Sequence, residues 1–185
     1  MKPTEELKEE HKVILRMLKI LDKAAQNLEE GKEVHAEVFK KAVDFIRNFA
    51  DRCHHSKEED TLFPMMEKYG IPKEGGPLGV MLYEHTLGRN FVKGMAEAAE
   101  KYEKGDKSSI KDLIKNARGY AGLLAPHIFK EDNILYPMAD RNIPEKEQKV
   151  LEEKFEKIEK EVIGEGKHHE YLHLVEELGK QLEIR

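Results

Sequence analysis

The strongest constraint on this chain is a twelve-residue segment that occurs twice. Residues 54–65 align without a gap with residues 127–138, and His, Lys, Glu, Leu, Pro and Met recur at the same positions. One histidine stands upstream of each copy, His11 before the first and His85 before the second. Each half of the chain therefore contains the pattern His…His-x-x-x-Glu. Repetition of histidines and a carboxylate at matched spacing indicates a pair of metal ions.

The sequence predicts an all-α fold. Leu, Lys, Glu and Ala dominate the composition, which favours helix over strand. Apolar residues recur at helical spacing, and glycine and proline interrupt the pattern. These signals predict six helices, at about 4–30, 34–69, 78–103, 108–140, 145–162 and 167–182.

Short connections between the first four long helices predict an up-down-up-down four-helix bundle. The repeat supports this arrangement, because the first two helices are echoed by the next two. Beyond Pro144 the chain becomes almost entirely Glu and Lys around a few apolar positions. We therefore predict a bundle domain at 1–143 and, at 144–185, a C-terminal helical extension that packs on it as a hairpin.

Composition narrows the possible partners and the compartment. The net charge of -5 leaves no basic stripe, so we expect neither nucleic acid nor an anionic membrane as a partner. No apolar run approaches the roughly 20 residues that a membrane span needs. The acidic N-terminus does not resemble a signal peptide, and the single cysteine, Cys53, forms no intrachain disulfide. We expect a cytoplasmic protein, either a monomer or a homodimer.

The spacing inside each repeat has a direct chemical meaning. Residues four apart on a helix face the same way, so His54 lies over Glu58 and His127 lies over Glu131. On facing helices of a bundle the two pairs meet in the interior, where the two upstream histidines join them. Imidazole suits iron, zinc and copper, and a carboxylate can bridge two cations. A metal also explains why carboxylates tolerate burial.

The repeat distinguishes between the two histidines of the His54-His55 doublet. If His55 were the repeated ligand, its counterpart would be Ile128, which cannot bind a metal. The alignment through His54 keeps both halves intact. We therefore expect His55 to occupy a supporting or surface position.

At this point the chain resembles the hemerythrin-like family, the HHE cation-binding domain. The resemblance covers about residues 4–141 and rests on residues 84–89 (Glu-His-Thr-Leu-Gly-Arg), on the preceding residues 75–82 and on the two His-x-x-Lys-Glu segments. It implies a non-haem di-iron site inside a four-helix bundle, with an oxo or hydroxo bridge. The terminal ligands would be His11, His54, His85 and His127, and the bridging carboxylates would be Glu58 and Glu131.

The chain also departs from the oxygen carriers of this family. Where those proteins have a second histidine four residues further along helix three, this chain has Arg89. Asp132 stands at the carriers' aspartate position, but the match to Glu58 favours Glu131. The resemblance then implies a more symmetric site that is open at both irons. Such a site suits reaction with oxygen, nitric oxide or peroxide, with an unidentified electron donor.

Other functions remain open at this stage. The same ligands suit manganese or zinc. The domain also resembles di-iron proteins of iron–sulfur cluster repair and modules that sense iron or oxygen without turnover, signalling through residues 145–185. His169-Glu170-Tyr171-Leu172-His173 matches the H-E-x-x-H zinc-peptidase pattern, although we expect a solvated helix face there. Cys53 is either a redox-active thiol or, as we expect, a buried inert one.

Overall fold

The computed structural model describes residues 1–184, and within that range the chain is helical with no strands. No helix in this described part is both long and apolar enough to cross a membrane. The α-helices are α1 (Pro3–Glu29), α2 (Ala36–Phe45), α3 (Phe63–Lys68), α4 (Pro77–Glu103), α5 (Ile110–Lys130), α6 (Tyr136–Asn142), α7 (Glu145–Ile158) and α8 (Lys167–Gln181). A 3₁₀ turn, Lys107–Ser109, leads into α5.

Wider π-helical turns interrupt the second and fourth predicted helices and follow α7. They are π1 (Ile46–His55), π2 (Glu58–Leu62), π3 (Glu131–Leu135) and π4 (Glu159–Ile163). Three of these segments contain predicted site residues. Such π turns are rare and occur often at functional sites.

The prolines of the repeated segment account for two of these turns. Pro64 stands at the start of α3, directly after π2, and Pro137 stands at the start of α6, directly after π3. A proline donates no backbone N–H, and its ring crowds the carbonyl four residues earlier. The wider turn before each proline relieves that conflict, so the helical path continues instead of stopping. Nothing comparable in the sequence explains π1.

The long helices pack side by side around two apolar cores. α5 lies against α1 and α4, and α2 lies against α4. On α1, Leu7 belongs to one core and Ile14 to the other, and His11 stands between them. On α4, Met81 and Val92 flank His85 in the same way. The fold therefore holds a polar layer between two apolar ones.

The C-terminal helices are attached to this body by buried apolar side chains. α7 packs on α1 and π2 through Leu151 and Phe155, and α8 packs on α1 and α2. Val175 and Leu178 are the buried positions of α8 that join the larger core. The up-down-up-down order and the division into 1–143 and 144–185 stay predictions.

Candidate metal centre

The six side chains predicted to bind metal lie together in the polar layer. Each of them is at most 1% exposed. His11 lies on α1 and His85 on α4. His54 lies on π1 and Glu58 on π2, and the second repeat places His127 on α5 and Glu131 on π3. A cluster of this composition would be costly to bury without a compensating charge or ion.

Each carboxylate lies between histidines of the two halves. Glu131 places Oε2 3.1 Å from Nε2 of His11 and Oε1 2.9 Å from Nε2 of His127. Glu58 places Oε1 3.9 Å from Nε2 of His54 and Oε2 3.4 Å from Nε2 of His85. Both carboxylates therefore point one oxygen at the His11–His54 side and the other at the His85–His127 side.

In the first half, the outer nitrogen of each histidine is fixed by an acid. Nδ1 of His11 donates to Asp132 at 2.7 Å, and Nδ1 of His54 donates to Glu10 at 2.7 Å. Because a carboxylate only accepts, Nδ1 carries a proton in each of these contacts, and Nε2 is the nitrogen that faces inward.

The second half repeats this arrangement. Nδ1 of His85 donates to Glu59 at 2.8 Å, and Nδ1 of His127 donates to Glu84 at 2.8 Å. Histidines that bind metals almost always donate their other ring N–H to a carboxylate, a carbonyl or water, which orients the ring and raises its basicity. All four imidazoles are thus oriented as metal ligands are.

The sequence contains a signal for these four acids. Each upstream histidine follows a glutamate, Glu10 or Glu84, and each inner carboxylate precedes a second acid, Glu59 or Asp132. The repeat therefore contains the supporting acids at matched positions too.

Equivalent lysines hold two of the acids. Lys57 bonds Glu10, and Lys130, its counterpart in the second repeat, bonds Glu84. Their surroundings differ, since Lys57 is 0% exposed and Lys130 is 37% exposed. The difference arises because the C-terminal extension covers Lys57.

Of the two positions expected for His55, supporting or surface, the structure places the side chain in the supporting one. Its side chain is buried, and its ring stacks on that of His85 with 3.8 Å between centroids. Ligand atoms of His55, His85 and His127 lie within 4.8 Å of one another. The reason is local, because successive side chains of the wider π1 turn are separated by a smaller angle than in an α-helix, so His54 and His55 both point inward.

The aromatic residue beside His11 differs from the one beside His85. The hydroxyl of Tyr136 donates to Oε1 of Glu58 at 2.5 Å, and its ring stacks on His11. The equivalent residue of the first repeat is Phe63, which has no hydroxyl and lies near His85. The two halves therefore share their inner residues and the acids that bond the histidines, but they differ at this aromatic position.

Burial and hydrogen bonding set the protonation of the cluster. Burial favours neutral imidazole, but the bonds of His11 to Asp132 and Glu131 outweigh it and raise the pKa of His11 to about 10. Burial is likewise outweighed at His85, where bonds to carboxylates raise the pKa to about 11. Burial and the neighbouring imidazoles hold the pKa of His55 well below its usual value, which leaves that ring neutral.

Buried atoms without partners test whether this cluster suits metal ions. Among residues 1–184, Nε2 of His54 and Oε2 of Glu58 are buried and make no hydrogen bond. Both face the middle of the cluster. Lone pairs directed at a common space, from imidazole and carboxylate together, match the donors that iron, zinc and manganese accept. The residues present therefore fit metal cations.

The other two candidates from the sequence lie elsewhere. His169 and Glu170 are exposed on α8, and His173 is 70% exposed. No possible metal cluster among the described residues includes these three. Cys53 is buried, and burial raises the pKa of its thiol far above the usual range, as expected for an inert cysteine.

Fold and site define a helical protein whose buried histidines and carboxylates can hold metal cations. The hemerythrin HHE cation binding domain matches residues 2–139, and the chain belongs to this family. It is also 25% identical, over 180 residues, to three proteins described as uncharacterized, one from Mycobacterium bovis and two from Mycobacterium tuberculosis. The match covers 97% of this chain and 70% of each relative. No solved structure matches the chain.

Proposed function

We propose that this chain is an up-down-up-down bundle that binds two iron ions and reacts with a small ligand: oxygen, nitric oxide or peroxide. The observation that carries the proposal is the placement of Glu58 and Glu131, each with one oxygen toward either histidine pair. A carboxylate in that position can bridge two cations and offset their charge. Glu58 and Glu131 would bridge, and the terminal ligands would be His11, His54, His85 and His127.

The surrounding residues prepare the donors before metal binds. The four contacts from Nδ1 to a carboxylate keep each inner nitrogen aimed at the centre and make it more basic. Tyr136 holds Glu58 in one orientation through its hydroxyl. Two bound irons would supply electrons and open coordination positions to the small ligand, and an external donor would restore the electrons.

A second candidate is a module that senses iron or oxygen without turnover. The favouring observation is a chain of contacts from the centre to the C-terminal extension. Glu10 accepts from His54 and from Lys57, and Lys57 donates to Glu159 on π4 at 2.6 Å. Glu159 in turn lies 2.7 Å from Nδ1 of His168. A change at His54 therefore has a physical route to the surface of the extension.

Metal content per chain tests the proposal directly. We expect about two irons in the purified protein and a loss of iron in Glu131→Gln, because that change removes a charge shared by both metal positions. His173→Ala, on exposed α8, is the matched control and should keep the metal. Two manganese ions would preserve the site but change the chemistry, and a single zinc or no metal would contradict the di-iron function.

Turnover separates the two candidates. Consumption of peroxide or nitric oxide over many cycles by the iron-loaded protein, with a chemical reductant supplied, supports the reactive function. Reversible binding of oxygen or nitric oxide without turnover supports the sensing module. The Glu131→Gln protein serves as the blank in both measurements.

A further inference from the structure

A small cavity reaches the histidine cluster described above on the side of His55 and His85. Its volume is about 80 Å³, and it opens between π1, α4 and α5. Since one water needs roughly 10–15 Å³ on this measure and drug-sized pockets run to roughly 300–1,000 Å³, the cavity has room for a ligand of a few heavy atoms and is far smaller than a drug-sized pocket. Its lining includes Asp51, His55, His85, Gly88, Arg89 and Tyr120.

The polar group that marks this cavity is the hydroxyl of Tyr120. The side chain is 1% exposed, and its hydroxyl has no hydrogen-bond partner within the described chain. A buried hydroxyl without a partner carries a free-energy penalty. Burial, followed by the charge of Asp51, raises its pKa, so the group keeps its proton and remains a donor. A ligand atom with a lone pair would satisfy it.

Charge around the opening favours an anion. Arg47, Arg89 and Lys93 line the cavity with one acid, Asp51. Arg89 is held at the rim by Nε to Asp51 at 2.7 Å and by Nη2 to Glu59 at 2.9 Å. An excess of cations raises the local concentration and the association rate of a negative ligand.

The same lining leads to one metal position rather than to both. His85 forms part of the cavity wall, whereas His11 on the opposite side is covered by the ring of Tyr136. Gly88 also lines the cavity and contributes no side chain to it. A Cβ at this position would lie 3.4 Å from Cδ2 of Leu124. The path from solvent therefore ends at the His85–His127 side.

We propose that this cavity binds a di- or triatomic anion or its conjugate acid, with Tyr120 donating a hydrogen bond to it, and delivers it to the metal beside His85. The assignment rests on the proposed function, because the ligand's second contact is the metal. It predicts that the two metals are not equivalent and that Tyr120 determines which ligands bind.

Azide is a suitable triatomic anionic probe for the iron-loaded full chain. Its dissociation constant is measured from the absorbance of the oxidised protein, for wild type, Tyr120→Phe and the control Tyr102→Phe. Tyr102 donates to the carbonyl of Val34, away from the centre. Loss of one hydrogen bond to an anion weakens binding on the order of tenfold, so we expect that change in Tyr120→Phe and none in the control.

A second variant tests the path. Val92 is buried in the cavity wall, and Val92→Phe narrows the passage, so the azide association rate should fall several-fold. Val80→Phe, at an exposed position on the same helix, is the matched control. Iron content and melting temperature, measured for every variant, show which ones keep the fold.

Each result decides one question. If folded Tyr120→Phe and Val92→Phe both hold two irons and bind azide with wild-type affinity and rate, the cavity assignment is overturned and the di-iron function stands. If wild type holds no iron, both fail together. A crystal structure of the azide complex with azide on the Tyr136 side would also overturn the cavity assignment.

Discussion

The lysines of the two repeats provide a matched test of what the C-terminal extension does. Lys57 is fully buried and bonds Glu6, Glu10 and Glu159, of which Glu10 is 3% exposed and Glu159 is 31% exposed. Lys57→Met removes the cation and leaves the buried Glu10 facing two partly exposed carboxylates. Removing one partner of a buried ion pair costs about 3–5 kcal/mol, and the partial exposure of Glu159 favours the lower end.

The equivalent Lys130→Met change should cost much less. Lys130 bonds Glu84 at a partly exposed position, and exposed ion pairs contribute about 0–1 kcal/mol. For a chain of this length, 1 kcal/mol shifts the melting temperature by about 2–4 °C. The expected losses at pH 7 are therefore roughly 6–20 °C for Lys57→Met and less than about 4 °C for Lys130→Met.

Thermal unfolding of the chelator-treated full chain, followed by circular dichroism, measures both losses in melting temperature.

The pH dependence of the stability adds a second check. Burial raises the pKa of Glu159, but His168 and Lys57 outweigh it and lower the value to about 2, below the ordinary 4.5. A carboxyl group with a lowered pKa adds to the free energy of unfolding above about pH 4.5, and this contribution is lost as the pH falls toward 2. The deficit of Lys57→Met should shrink over that window. Equal melting temperatures for the two variants at pH 7 would refute the reasoning.

Two further predictions concern metal uptake. Because His11 and His85 have pKa values raised to about 10 and about 11, both rings carry an extra proton at pH 7.5, and metal binding must displace it. Calorimetry in two buffers of different ionisation enthalpy should show about two or more protons released per loaded chain, with affinity rising as the pH rises; no release would contradict these shifts. His169→Ala and His173→Ala should leave metal content unchanged, and a loss of zinc in either would instead support a site on α8.

A repeat in the sequence reveals only the residues that the two halves share. The candidate site was therefore predictable where its residues recur and not where they differ. The six inner side chains recur and lie together as expected, although their role as ligands stays a prediction. His55, Tyr136 and Tyr120 have no counterparts of the same kind, since Ile128 and Phe63 stand opposite the first two. The distinctive surroundings of each metal position were therefore invisible to an argument from repetition.

Backbone geometry is the second feature that the sequence did not predict. Apolar spacing with a period near 3.6 predicts an α-helix and carries no sign of a wider turn. The inward turn of His55 depends on π1, whose cause the sequence does not show. The π turns before Pro64 and Pro137 were predictable in principle, because a proline conflicts with the turn that precedes it.

The division between shared and unshared residues bears on function. The residues that repeat fix donor type, donor direction and total charge, so they set which cations fit and how they are held. The residues that do not repeat surround those donors differently: on one side a tyrosine hydroxyl bonds Glu58, and on the other a stacked imidazole and a cavity adjoin His85. On the proposed function, two metals with the same ligands would then differ in the access of small molecules to them. Reaction at one metal and electron supply from the other would follow from packing alone, without any change in the ligand set.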